Sequence, residues 1–296
     1  MNKRNLLYAA AAVALAAAAL VRFWLAPFLT QLPADYSSTL LYNAESHFRA
    51  TTEAEWETFD LVSRRVDQTL TTPAGAAIIH GMLYRTVRSG RVIFEASELY
   101  GVDRTTRQNL PGYGDAPRTG QYLFPQHMQP ATYAYWDQHF IGPRQAIFSE
   151  RTTLDGLEVY VYKFSGADLD ETAGYAQLTD VPERYSAHTD GAGVLWIEPL
   201  SGVVVDYEET GTSYFVDPAT GVRLADFHRW RSRFTPETAA AQMQLAHAAR
   251  RQLLLLESWL PGALLALGAG CLVAALALHR RQAPAAAAWQ PVPGRP

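Results

Sequence analysis

Five aromatic residues lie close together in the middle of the chain, and the chemistry they offer is apolar contact. They occur between Gln108 and Arg144, in a stretch rich in proline and glycine. Long irregular stretches in compact domains are usually functional or disordered, and this density of rings argues against disorder. We therefore predict that the five line a site for an apolar ligand. They are Tyr122, Phe124, Tyr133, Tyr135 and Trp136. The alternative is that they fill the core of the domain, as buried aromatic side chains mostly do.

Side chains suited to acid–base or metal chemistry are scattered along the chain. His127, His139 and Asp137 lie in the aromatic stretch, where an imidazole beside a carboxylate could transfer protons. Such scattered pairs are usually structural, so we assign no catalytic residue. The acidic loop at 168–171 lacks the spacing and the glycine of an EF-hand, so we expect a solvated loop and no metal site.

Several classes of protein are disfavoured by what the sequence lacks. It has no GxxxxGK[ST] loop, no GxGxxG after a strand, no GxSxG elbow and no HExxH pair. Its single cysteine, Cys271, lies in an apolar run, so it offers neither a disulfide framework nor a cysteine metal site. The net charge of -4, without a basic patch, argues against nucleic acid as a partner. We expect a protein that is not an enzyme and that carries no cofactor.

The elements that must position the aromatic stretch read as antiparallel strands. Ser89-Gly90 and Asp155-Gly156 are hairpin signals between runs of alternating character. We predict strands at 59–70, Ala76–Val87, Arg91–Tyr100, Ala146–Thr153, Leu157–Phe164, Val194–Ile197, Val203–Glu208, Thr212–Val216 and Val222–Trp230, and a short helix within 45–57.

The period changes at Thr235-Pro236-Glu237, which combines a threonine cap, proline at the first helical position and an acid in the first turn. The run Thr238–Glu257 contains good helix formers and no glycine or proline, so it predicts a long helix. The fold class is therefore mainly β (α+β): an antiparallel sheet with a long C-terminal helix, between terminal membrane helices.

Both ends of the chain are apolar. Leu6–Val21 carries no charge, and Trp259–Leu278 is about one bilayer thickness without a charge. A cleaved signal peptide is the alternative for the first run. Basic residues flank the outer ends of both runs, at 3–4 and 280–281, so the positive-inside rule places both termini in the cytoplasm and the middle outside.

These observations divide the chain into five parts. They are a cytoplasmic N-terminus and anchor (1–29), an extracytoplasmic β-rich domain (30–234), a juxtamembrane helix (235–258), a transmembrane helix (259–278) and a disordered cytoplasmic tail (279–296). Glycines in the second apolar run allow close helix contact, most simply between the two membrane helices and otherwise in a homo-oligomer.

The order of these parts resembles a bacterial family named for the porin PorA. The resemblance covers nearly the whole chain and rests on RFWLAPFL, LPADYSS, FPQHMQPATYAYWD, ERTTLDGLEVYVYKF, LWIEPLSGVVVDYEE and RFTPETAAAQ. This chain departs from the family by being short between Phe164 and Val194. The resemblance implies a membrane-anchored surface protein and transfers no catalytic residue. The hairpins DGLEVYVYKF and WIEPLSGVVVDYEE resemble, more loosely, periplasmic lipoprotein carriers, whose half-barrel implies an apolar concavity.

A porin whose strands face lipid conflicts with the charges on the predicted strands, which are Arg64, Arg65, Asp67, Glu95 and Glu98. We therefore expect an aqueous sheet that binds a lipid or another apolar molecule of the cell envelope, with membrane lipids as partners. Two alternatives stay open. One is an interaction scaffold of the envelope, with a homo-oligomeric or envelope protein partner, and the other is an oligomeric pore.

Overall fold

The computed structural model describes residues 3–136 and 143–282. The chain forms two compact units, one of Gln31–Arg251 and one of Met1–Thr30 with Gln252–Pro296. Residues 283–296, most of the predicted disordered tail, lie outside the described residues.

The larger unit is built on one sheet, which has eleven strands in the described part of the chain, and every pair of neighbouring strands is antiparallel. The strands are β1 (Ser37–Phe48), β2 (Glu57–Thr71), β3 (Ala76–Val87), β4 (Val92–Asp103), β5 (Asn109–Gly114), β6 (Tyr133–Trp136), β7 (Pro143–Leu154), β8 (Leu157–Asp170), β9 (Ser186–Glu198), β10 (Val203–Val216) and β11 (Arg223–Phe234). The predicted mainly β fold is confirmed.

The first strand lies in the middle of the sheet, because β1 pairs with β2 on one side and with β11 on the other. The order across the sheet is β5-β4-β3-β2-β1-β11-β10-β9-β8-β7-β6. Gln121 joins the two outermost strands, since it forms bridges with Gln108 before β5 and with Tyr135 in β6. The N–H of Gln121 donates to the carbonyl of Ala134 at 2.8 Å, and the N–H of Trp136 donates to the carbonyl of Gln121 at 2.9 Å. The sheet is therefore a nearly closed barrel.

The hairpin between β7 and β8 confirms its sequence signal. Leu154 pairs with Leu157, so the turn has two residues, Asp155 and Gly156. Their φ angles of 47° and 78° are the positive values that a type I′ turn requires.

Three local predictions were wrong. Residues 45–48 belong to β1, which is held as a strand by ladders on both sides, and β2 begins at Glu57, so 45–57 holds no helix. The runs 203–208 and 212–216 form the single strand β10, because Gly211 between them pairs with both Gly191 and Trp230. The stretch from 108 to 144 contains β5 and β6 and is only partly irregular.

Glycines on the inner face make room for large neighbours. A Cβ atom on Gly211 would lie 2.1 Å from the Trp230 ring, and one on Gly193 would lie 2.3 Å from Cζ of Phe164. Real Cβ contacts are never so close, so these two positions admit only glycine while the rings keep their places. The barrel interior is thus packed by rings that cross neighbouring strands.

The outer face is charged where β1, β10 and β11 meet. Side chains alternate between faces along a strand, and the outward set on these strands includes Glu45, Glu208, Arg231 and Arg233. Arg231 and Glu208 approach to 4.0 Å across the pair of strands. Such a surface suits water rather than hydrocarbon, where lipid-facing charges are strongly destabilising.

Helix α3 (Pro236–Leu254) begins at the predicted cap: the N–H of Thr238 donates to the hydroxyl of Thr235 at 3.2 Å. Its Ala246 is fully buried against Val159 and Val205 of the sheet. Arg250 binds the fully buried carboxylate of Glu198 at 2.7 Å. The predicted long C-terminal helix is confirmed.

The smaller unit contains the two apolar ends. Helices α1 (Lys3–Leu20) and α2 (Ala26–Leu29) flank a π-helical turn, and α4 (Leu260–Gln282) follows a second π-helical turn at Leu255–Trp259. A guanidinium nitrogen of Arg4 lies 3.1 Å from Nδ1 of His279, so α1 and α4 run antiparallel. Leu15 packs against Gly268, which gives that glycine a role within the pair. By length and composition, the helices at both ends are able to cross a membrane.

Substituting Gly193 by Ala tests the ring packing. The added methyl collides with Phe164 and with the carbonyl oxygen of Glu208, 2.5 Å away. We expect a loss of about 1–3 kcal/mol in the free energy of unfolding, which is typical of overpacked cores. The measurement is urea denaturation of the full-length protein followed by circular dichroism. Gly174→Ala is the matched control, because nothing lies within 4 Å of its added carbon. Equal midpoints for the two variants would contradict the packing.

Candidate functional site

A cavity of about 620 Å³ lies on the inner face of the barrel. Inward side chains of β1 to β4, β10 and β11 form its wall, together with Trp136 and residues between 171 and 178. Its size falls within the range of small-molecule sites in proteins, roughly 300–1,000 Å³.

The strands give the cavity an outer and an inner end. Along β2, the lining residues run from Phe59 through Leu61 and Ser63 to Arg65. These six steps of strand span about 20 Å. Phe94, near the start of β4 and level with Ser63 through Arg85, is 40% exposed, whereas Arg65 is 2% exposed. The exposed aromatic end is therefore the mouth, and Arg65 marks the deep end.

The deep end holds an unusual buried cation. Nε of Arg65 donates to Oδ1 of Asp67 at 2.7 Å, and the guanidinium lies 5.2 Å from the centroid of the Tyr100 ring. Its Nη2 atom has no hydrogen-bond partner among the described residues. Gly81 makes this position possible, because a Cβ there would lie 2.0 Å from Nη2. Burial raises the pKa of the Asp67 carboxyl, and Arg65 opposes that shift.

Nearer the mouth, His228 is the centre of a polar group. Its Nε2 lies 2.9 Å from the hydroxyl of Ser46, and its Nδ1 lies 2.8 Å from the hydroxyl of Tyr175. The chain of hydrogen bonds continues from Tyr175 through Ser213 and Thr189 to Glu171. Five strands or loops are thereby joined through side chains inside the barrel.

Burial, and the nearby Arg85, lower the pKa of His228 to about 3, so its imidazole is neutral at pH 7. A neutral ring donates from one nitrogen and accepts at the other, which suits its two hydroxyl partners. Burial raises the pKa of Glu171, while its bond from Thr189 opposes that shift. Glu171 is only partly exposed and lines the cavity, so the prediction of a solvated acidic loop was wrong for this residue.

The structure places the five predicted aromatic residues in neighbouring groups. Phe124, Tyr133 and Tyr135 belong to one aromatic cluster, with 5.6 Å between the ring centroids of Phe124 and Tyr135. Tyr122 packs on Tyr100 in a second cluster, at 4.9 Å. Trp136 alone among them lines the cavity. A ligand-binding role for the five stays a prediction, and the cavity provides a separate candidate site.

The other predicted candidates do not form a site in the described residues. Asp137 and His139 lie outside them. The backbone N–H of His127 donates to the carbonyl of Leu200 at 3.0 Å, which anchors its loop. In residues 3–136 and 143–282, no group of three or more His, Cys, Asp or Glu side chains is arranged to hold a metal.

Sequence reasoning missed Arg65, Trp230 and His228 as cavity residues. Alternation along β2 and β11 carried a partial signal, because it places each of them on the same face as apolar neighbours. Gly81, which contacts the guanidinium of Arg65, and Gly211, which pairs with Trp230, were a second signal, since a glycine in a strand often marks the close approach of another group.

Together, the charged barrel and the apolar terminal helices define a membrane-associated β-barrel protein. The family described as Porin PorA matches residues 5–277, and the chain belongs to this family. A comparison with curated proteins found no match. Family and barrel fit a pore or a role in the envelope, and the family suggests a protein that is not an enzyme. The looser resemblance to lipoprotein carriers stays a prediction.

Alanine substitutions at Tyr135 and Trp136 distinguish a residue of the packed core from a residue that lines the cavity. Tyr135 is 8% exposed within its cluster, so Tyr135→Ala should cost about 3–5 kcal/mol, as for other large buried rings. Trp136→Ala should cost clearly less, because part of its ring faces the cavity. Chemical denaturation of both full-length variants measures the difference. Equal losses would show that Trp136 is as much a core residue as Tyr135.

The depressed pKa of His228 gives a pH dependence with a defined sign. In the unfolded chain the His228 imidazole binds a proton near pH 6.5, whereas in the folded protein it does so only near pH 3. The contribution of His228 to the free energy of unfolding is therefore fully present above about pH 6.5. Below that pH it decreases by up to about 1.4 kcal/mol per pH unit. His228→Gln should lose less stability than the unchanged protein between about pH 7 and about pH 4.5. Glu171 and Asp67, whose raised pKa values act in the opposite sense, are common to both proteins. Identical pH profiles would contradict a neutral, buried His228.

Proposed function

We propose that the barrel binds a small amphipathic, lipid-like molecule in its cavity, as part of a protein of the cell envelope. The observation that carries this proposal is the cavity itself, whose wall combines large apolar side chains with polar and charged groups. Its large apolar side chains are Phe48, Phe59, Leu61, Leu83, Ile93, Phe94, Trp136, Leu178 and Trp230.

Burial of an acyl chain against this wall would supply the binding energy. Apolar surface removed from water contributes roughly 25 cal/mol per Å². In the hydrogen-bond network through His228, the polar groups of the wall bond to one another. An acyl chain can therefore lie beside these groups without leaving any of them unpaired.

The mouth also carries an exposed apolar patch. Val92, Ile93 and Phe94 are 51%, 44% and 40% exposed at the start of β4. Arg88 and Arg91 lie beside them in the hairpin, and both are exposed. Exposed apolar patches mark sites that bind another molecule, which supports uptake of an amphiphile at this end.

We further propose that α1 and the C-terminal helix both span the membrane, with the two termini in the cytoplasm and the barrel outside. Lys3 and Arg4 precede the first apolar run, and Arg280 and Arg281 follow the second. The antiparallel packing of α1 on α4 supports this topology, because it brings the two basic ends to the same side.

A pore is the second candidate, favoured by the family and by the barrel. The inner face carries an aromatic cluster that includes Tyr42, Tyr162, Tyr207 and Phe234, and ions passing through the barrel would have to cross it. If the barrel conducts, a bulky residue at Ala96 in the cavity wall should lower the single-channel conductance of the full-length protein in planar bilayers.

Lipid binding is tested by photo-cross-linking. The full-length protein in nanodiscs is exposed to a fatty acid with a photoreactive group in its chain, and labelled peptides are identified by mass spectrometry. We expect labels in β2 to β4. Ala96→Trp fills the cavity and should reduce these labels at least several-fold, because the chain and the new ring compete for one space.

Ser97→Trp is the matched control, since Ser97 is the next residue on the opposite, outer face and is exposed. Labels in α4 serve as an internal reference for the membrane phase. The proposal of a lipid-binding cavity would be contradicted if the barrel carried no labels, or if the labels were equally strong in both variants.

A further inference from the structure

Two arginine side chains line the cavity near its mouth without a charged partner. Arg85, in β3, is partly buried, and Arg91, in the hairpin between β3 and β4, is exposed. In residues 3–136 and 143–282, neither guanidinium forms an ion pair or a side-chain hydrogen bond. Charges that are withdrawn from water are normally paired. This part of the wall therefore offers unused donors to an anion.

The carboxylates of the cavity wall have partners elsewhere. The acidic residues that line it are Glu98, Glu171 and Glu209. Within the described ranges, none of the three forms an ion pair with Arg85 or Arg91. Their partners are Arg118 and Tyr100 for Glu98, Thr189 for Glu171 and Tyr207 for Glu209. The two arginines are thus left to a ligand.

The pairing of β3 with β4 brings the two arginines together. Arg85 pairs with Phe94, and the N–H of Val87 donates to the carbonyl of Arg91 at 3.0 Å. Arg91 therefore lies opposite the residue two positions after Arg85. Such diagonal neighbours are roughly 7–8 Å apart, a distance within reach of long side chains. One head group can contact both guanidinium groups.

A β-bulge turns Arg91 toward the cavity. The register between β3 and β4 shifts by one residue between Phe94 and Val92, so Ile93 is the extra residue. Alternation alone would place Val92 on the same face as Phe94. Instead the cavity is lined by Arg91, Ile93 and Phe94. Bulges are frequent next to functional sites, where they redirect a side chain.

The same hairpin places apolar side chains next to the charges. The guanidinium of Arg85 lies 4.8 Å from the centroid of the Phe94 ring. Contact with a ring leaves the N–H groups at the edge of the guanidinium able to donate to two oxygens of one carboxylate or phosphate. One step deeper, Leu83 pairs with Ala96, and both line the cavity. A ligand with an anionic head and an apolar chain matches this order.

We propose that the cavity selects an amphiphile with an oxyanion head, a carboxylate or a phosphate, which binds Arg85 and Arg91 while its chain lies along Leu83 and Ala96. This inference rests on the proposed function, and it names the class of ligand for that same cavity.

The experiment compares a photoreactive fatty acid with the fatty alcohol and the fatty amine of the same chain, using the full-length protein in nanodiscs. At about pH 9 the acid is ionised and the amine is charged. The measured quantity is the ratio of labels in β2 to β4 to labels in α4, which corrects for unequal partitioning of the probes into the bilayer. We expect this ratio to be about tenfold higher for the acid than for the alcohol, equivalent to about 1.4 kcal/mol, and lowest for the amine.

Variants locate the head. Arg85→Gln combined with Arg91→Gln should lower the ratio for the acid about tenfold and leave the ratio for the alcohol unchanged, because only the acid uses the two charges. Arg88→Gln is the matched control, since Arg88 lies in the same hairpin but pairs with Asp60 on the outer face at 3.5 Å. Circular dichroism verifies the fold of each variant. If the double variant does not fold, Arg91→Gln alone, at an exposed position, should lower the ratio for the acid several-fold.

The outcomes separate this inference from the proposed function. If no probe labels the barrel, the cavity takes up no lipid, and both ideas fail. If the alcohol or the amine labels the barrel as strongly as the acid, or if the arginine variants lower the ratios of acid and alcohol equally, the oxyanion head is overturned and lipid binding stays intact. Acetate and inorganic phosphate supply the head without the chain, and we expect them to displace the acid weakly. Full displacement by either at the concentration of the acid would overturn the amphiphile and indicate a free anion.

Discussion

Closure of the antiparallel sheet is the constraint on which the rest of the larger unit depends. A flat sheet of this size would expose the backbone of its two outermost strands. Here the backbone of Gln121 bridges toward Gln108 on one side and Tyr135 on the other. Closing the sheet converts one of its faces into an interior, and the contents of that interior then decide what the barrel can bind.

The interior is divided between packed rings and open space. Clusters around Tyr162, Tyr100 and Phe215 fill parts of it, helped by glycines whose missing side chains admit rings from neighbouring strands. Between them a cavity remains, lined by buried groups such as Arg65 and Glu209. Buried polar groups stabilise a structure only when they are satisfied, and the hydrogen bonds from His228 to Ser46 and Tyr175 satisfy part of this wall.

The two units suit different solvents. The barrel carries Glu45, Glu208 and Arg231 on its outer face, which fits water. The smaller unit pairs α1 with α4, helices whose backbone hydrogen bonds are satisfied internally, as hydrocarbon requires. The family description speaks of a porin, whereas the charged outer face at β1, β10 and β11 differs from the apolar band of a barrel whose strands cross a membrane.

The sequence by itself determined the local elements. Alternation predicted β3 with its observed bounds, Asp155-Gly156 predicted a hairpin, Thr235 predicted the start of α3, and two uncharged runs predicted the apolar helices. It missed β1, whose strand state comes from ladders on both sides, and it split β10 at Gly211. Only the tertiary structure decided that the sheet closes and that Arg65, Glu98, Glu209 and His228 share one cavity. Alternation tells which residues occupy the same face of a strand, but curvature and the meeting of distant strands arise from pairing across the whole chain.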